Sequence, residues 1–180
     1  MKKIIAAVLG AVMAVSLAGC RTSGSKLEKI STESAPDADT VKMSDYADNL
    51  EGLEKYLVDL NYIPQKSEAT DMLASVIGAK SGHRYNFIVD RSTVIAELYE
   101  YDTDALTEEG RRVIDEVKTN GEFYVFDKNV QIDENIAYKA ELSDSGKYLL
   151  IYTDNSSDIA NVQRKADFTQ KVKAFHGSEE

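Results

Sequence analysis

The sequence predicts an α+β domain: one mostly antiparallel, twisted sheet of about five strands with helices packed on it. Strand-like runs joined by short turns occur over 83–101 and 136–153, and hairpins imply antiparallel neighbours. Stretches with apolar residues three and four apart flank those runs, the spacing of amphipathic helices. Finally, 43% of the 180 residues are hydrophobic, enough to build one core.

The expected order is α-α-β-β-α-β-β-β-α. A first helix is predicted over 45–60. Ser44 can cap it, and Leu50, Leu53, Leu57 and Leu60 form one stripe. Asp45 and Asp48 suit its N-terminal dipole, and Pro64 disfavours helical geometry at Ile63. A second helix is predicted over 67–77, with Ala69, Met72, Leu73, Val76 and Ile77 inward and Gly78 as its stop. Strands over 83–89 and 93–101 follow, around the turn Asp90-Arg91-Ser92. In the second of them Val94, Ala96 and Leu98 share one face, while Ile95, Glu97, Tyr99 and Tyr101 share the other.

Asp104 or Thr107 begins the next helix, which turns Val113, Ile114 and Val117 inward and ends at Asn120-Gly121. A short strand over 122–127 and an irregular polar stretch over 128–135 come next. A second hairpin pairs 136–142 with 147–153 across Ser143-Asp144-Ser145-Gly146, where Gly146 can take positive φ. Ser156 or Ser157 starts a last helix to about residue 175, with Ile159, Val162, Ala166, Phe168, Val172 and Phe175 as its stripe.

The beginning of the chain has a different logic. Lys2 and Lys3 precede an apolar run over 4–15, and Leu17-Ala18-Gly19-Cys20 sets two small residues before the single cysteine. The run is shorter than the roughly 20 apolar residues that span a bilayer, so a cleaved signal is expected. These residues resemble the type II signal peptide of bacterial lipoproteins, and the last four match the lipobox of that class. The resemblance implies cleavage between Gly19 and Cys20 and a thioether-linked diacylglycerol on the Cys20 sulfur. It implies an extracytoplasmic protein whose first partner is the lipid membrane, reached through acylated Cys20. The expected organisation is a signal peptide over 1–19 and a lipidated Cys20 with a flexible polar tether over 20–43. A single domain over 44–176 and a frayed tail over 177–180 complete it. A tether of this length spans roughly 25 Å on average.

Cleavage removes Lys2 and Lys3 and no acid, taking the formal charge from −10 to −12. Nucleic-acid binding needs a basic footprint, so no nucleic-acid partner is expected. The acid excess serves solubility at the membrane surface first, and attraction of an envelope protein or other cationic partner second. Without a second cysteine the domain has no disulfide and depends on packing.

Few residues suggest chemistry. His83 and His176 are the only histidines, too few for a zinc set with Cys20 committed to lipid. Ser81 and His83 share a strand face, but no nucleophile elbow accompanies them. Asp154, Ser156 and Asp158 imitate the start of a calcium loop, yet Ile159 stands where glycine is required and Lys165 where glutamate belongs. No catalytic residue, metal or cofactor is therefore assigned. The candidate surfaces are an acidic cluster of Glu97, Glu100, Asp102 and Asp104, and an aromatic contact set of Tyr99, Tyr101, Tyr124, Tyr148 and Tyr152. The resulting expectation is a non-catalytic binding or interaction module of the bacterial cell envelope. The alternative is a carboxylate-dependent hydrolase acting on envelope or extracellular material.

Overall fold

In the computed structural model, residues 27–30, 40–125 and 136–178 are described. The signal peptide with Cys20, most of the expected tether, the end of the strand expected over 122–127 and the polar stretch over 128–135 lie outside them.

Two nine-residue strands frame the fold. β3 (Ser81–Val89) and β4 (Ser92–Glu100) pair antiparallel from Ser81↔Glu100 to Val89↔Ser92. Asp90 turns the corner at φ 52°, a left-handed position that aspartate tolerates. β8 (Tyr148–Asp154) pairs antiparallel with β4, and β7 (Glu141–Leu142) pairs with β8 around the turn where Gly146 has φ 74°. The outer edge of β3 is shared. β2 (Thr70–Asp71) covers one end antiparallel, and β1 (Glu28–Ile30) covers the other in parallel. The sheet order is β1-β3-β4-β8-β7, with β2 beside β3. The fold is α+β as expected, but the sheet is mixed rather than mostly antiparallel. The parallel strand comes from the segment assigned to the tether, where Ile30 enters the core. A three-residue strand in a polar stretch carries no period that a sequence reading can detect.

Side-chain alternation divides the core between the two faces of the sheet. On one face Tyr85, Phe87, Val94, Ala96 and Leu98 meet α1 (Leu50–Asp59) and α3 (Ile159–Ala174). On the other Tyr99, Tyr101, Leu149 and Ile151 meet α2 (Glu108–Asn120). The strand expected over 136–142 divides at Ala140. β6 (Ala137–Lys139) leaves β8 to pair with β5 (Glu122–Tyr124), forming a separate two-stranded sheet over the α2 face.

The helix boundaries follow their caps. α1 begins at Asn49, whose side chain accepts from the Gly52 N–H at 2.9 Å, and not at Ser44. Thr107 caps α2 by accepting from the Gly110 N–H at 3.0 Å, and Gly121 closes it at φ 71°. The helix expected over 67–77 is replaced by two 3-10 turns, Lys66–Glu68 and Ala74–Ile77, with β2 between them. Successive 3-10 turns also repeat apolar residues every three positions, so the spacing misleads. Leu73 and Val76, expected inward, are exposed. In α3, Ile159 and Val162 are exposed too, and the buried stripe is Asn161, Arg164, Phe168 and Val172. The tail is docked as far as Ser178, whose N–H donates to the Tyr46 carbonyl and whose carbonyl accepts from Asp48 N–H.

Candidate functional site

A groove of about 230 Å³ opens on the α2 face of the sheet. Arg84 of β3, Glu97 and Tyr99 of β4 and Ile151 of β8 make its floor. Met72, Leu73 and Val76 form one wall, and Phe123, Val125 and Tyr138 the other. Phe123 and Tyr138 stack with centroids 5.6 Å apart, so β5 and β6 present a firm aromatic side. The rim is apolar and wet: Leu73 is 75% exposed, Val76 45% and Tyr138 36%. Large apolar side chains gathered at a concave mouth mark an interaction site more often than scattered ones do.

The floor is polar and fully paired. Arg84 Nε donates to Glu97 Oε1 at 2.8 Å, and Arg84 Nη2 lies 2.6 Å from the same oxygen. Tyr99 Oη donates to Glu97 Oε2 at 2.7 Å. Burial, and then the Glu97 carboxylate, push the Tyr99 phenol well above its ordinary range, so it stays a donor. Gly82 makes the arrangement possible. It pairs with Tyr99 across the strands, and a Cβ there would lie 2.3 Å from Tyr99 Cδ1. The tyrosine ring thus lies over the glycine and aims its hydroxyl along the strand at Glu97.

The sequence-predicted acids do not assemble into one surface. Glu97 and Glu100 lie on opposite faces of β4, and both are buried. Glu100 Oε2 accepts from Leu50 N–H at 3.0 Å at the start of α1, and its Oε1 is 3.2 Å from Lys80 Nζ. Asp102 is exposed and accepts from the N–H groups of Asp104 and Ala105, both at 3.2 Å, as a turn residue does. Asp104 is exposed beside Asp48 and Lys147 in a polar depression. The aromatic candidates are likewise dispersed. Tyr99, Tyr101, Tyr148 and Tyr152 are core residues, and Tyr124 is half-buried on β5, which Arg112 and Glu116 of α2 hold through its backbone. Of these five, Tyr99 alone lines the groove. In the calcium-loop mimic, Asp154 ties the turn between β8 and α3 together. Asp154 Oδ1 accepts from Ser92 Oγ at 2.5 Å and from Ser156 N–H at 2.8 Å, and its Oδ2 accepts from Asn161 Nδ2 at 3.0 Å.

His83 has partners that the sequence did not suggest. Its Nδ1 is hydrogen-bonded to Glu54 Oε1 of α1, and its Nε2 lies 3.3 Å from Asp71 Oδ1 of β2. Both ring nitrogens therefore face carboxylates, and Ser81 is not a partner of the ring. His176 is exposed and bonds the Ala174 carbonyl at 2.8 Å. Among the described residues no group of three His, Cys, Asp or Glu side chains could hold a metal ion. No helix among them is long and apolar enough to cross a membrane.

No family model matches this chain, and no curated protein or solved structure is significantly similar to it. The groove was hidden from the sequence because its walls come from two short, irregular segments. One signal was available: Gly82, just before the strand expected from 83 and inside the observed β3, is the kind of residue that marks close approach of another group.

Proposed function

We propose that this chain is a membrane-anchored extracytoplasmic lipoprotein, held by a diacylglycerol on Cys20, whose domain binds an envelope protein through the groove above Arg84, Glu97 and Tyr99. One observation carries the reading: Leu73, Val76 and Tyr138 line an open mouth over a floor whose ion pair is already satisfied. A satisfied Arg84–Glu97 pair holds shape and does not compete for the ligand, so affinity comes from burying the partner's apolar side chains. The partner's chemistry follows: an apolar segment for the groove, flanked by cationic side chains for a domain that carries nearly all of the −12 charge. The charge speeds encounter and the groove sets affinity.

A hydrolase would need two carboxylates converging on one substrate. Glu97 and Glu100 face opposite ways, and each is engaged with its own protein partners.

The test is site-specific photocrosslinking in the membrane of the producing cell. A photoreactive residue at position 73 should capture a discrete protein, and one at position 102 or 104 should not. Adding Val76→Asp should reduce that capture about tenfold or more, the equivalent of one buried aliphatic side chain. Capture from 102 and 104 with nothing from 73 would move the interface to the acidic loop and refute the groove.

A further inference from the structure

We propose that His83 is a proton-operated latch that holds one wall of this groove in place. The latch itself is read from the geometry around the ring, and only its effect on partner binding rests on the groove reading above.

The His83 ring is mostly enclosed, its side chain 17% exposed, with a carboxylate on each nitrogen. The two carboxylates differ sharply: the Glu54 side chain is 1% exposed and the Asp71 side chain 97%. The remaining groups nearby are few. Lys66 Nζ is 3.9 Å from Glu54 Oε2. Tyr85, two residues along the same strand face, has a buried phenol pushed up by burial and by Glu54. β4 offers Leu98 opposite His83, and the next acid on that face, Glu100, is occupied by Leu50 N–H and Lys80.

Hydrogen-bond inventory decides the rest. An ionised carboxylate only accepts, and a neutral imidazole carries a single N–H. Two carboxylates on two ring nitrogens are satisfied together only by the doubly protonated ring. When that proton leaves, the remaining one stays on Nδ1, because buried Glu54 has no water to turn to. The bare Nε2 then faces the Asp71 carboxylate lone pair to lone pair, and exposed Asp71 turns to solvent.

Asp71 is half of β2. That strand holds to β3 at only two register positions, Thr70↔Arg84 and Asp71↔His83, followed by Met72 N–H donating to the Gly82 carbonyl at 2.9 Å. It runs directly into Met72 and Leu73 of the groove wall. Releasing Asp71 loosens that wall. The latch is closed while the imidazole is charged and opens when the second proton is lost, so partner binding should be tighter on the acid side.

The test needs no partner. Amide exchange is measured on the full mature chain in lipid nanodiscs at about pH 5 and about pH 8, corrected for intrinsic exchange. Protection at Met72, whose N–H donates to the Gly82 carbonyl, should fall about two- to fivefold at the higher pH, while α2 stays unchanged. In Asp71→Asn the step should vanish, because the amide can donate to the bare nitrogen or accept from the protonated one. Asp71 is exposed, so this variant keeps its fold. Equal protection at both pH values, or a step that survives in Asp71→Asn, would overturn the latch. A latch that works in a chain whose position 73 captures nothing would leave the proposal standing and the groove reading refuted.

Discussion

Individual polar residues set the register of this fold. Arg164 is buried in α3 and donates through Nη2 to the carbonyls of Asn61, at 2.6 Å, and Tyr62, at 3.0 Å, while stacking over the Tyr62 ring. It thereby satisfies carbonyls just past the end of α1, where Asn61 takes φ 60°. Asp154 ties the start of α3 to the sheet by accepting from Asn161, Ser156 and Ser92. Its own burial would raise its carboxyl pKa, but Ser92, Asn161, the Ser156 N–H and Lys165 together hold it below the ordinary carboxylate range. A depressed folded value stabilises the protein above the unfolded pKa of about 3.9, and the contribution disappears as pH falls through the folded value. Asp154→Asn should therefore cost about 1–2 kcal/mol near pH 7 and almost nothing near pH 2. Urea melts of the variant and the parent at the two pH values measure the difference. An equal loss at both would show that the charge is immaterial.

Elements were readable where one period persisted along a buried face. The β3–β4 hairpin and its two faces were legible because nine consecutive pairs repeat the alternation. α2 was legible to its cap, since Thr107, the Val113, Ile114 and Val117 stripe and Gly121 all agree. α3 was legible as a helix, and Phe168, Val172 and Phe175 are buried as its stripe predicts, but its first turns were misread because Asn161 and Arg164 face in, to Asp154 and to the Asn61 carbonyl. The burial of Glu97 was hidden for a related reason: it depends on Arg84 and Tyr99, which only strand register brings to it. β1 was invisible, having three residues and one buried side chain. Its weight can be measured. Ile30→Ala should destabilise the domain by about 2–4 kcal/mol, the usual cost of emptying an aliphatic core site. Chemical denaturation reads this directly, and a loss below about 0.5 kcal/mol would mean that β1 adds nothing to the core.

For the molecule as a whole, a mixed sheet with helices on both faces carries the cores that packing alone must support. The proposed anchor has its own test: Cys20→Ala should release the protein from the membrane fraction and abolish fatty-acid labelling, and retention of either would contradict it. If Cys20 carries the proposed lipid, β1 acquires a second meaning. Cys20 is eight residues from Glu28, a reach of at most about 28 Å at full extension. If β1 leaves the edge of β3, the next described residue is Thr40, twenty residues from Cys20, a reach of at most about 70 Å. On the proposed anchor the strand would act as a reef knot in a mooring line: tied, it would keep the domain beside its own bilayer, and slipped, it would let the same domain work across a much wider gap.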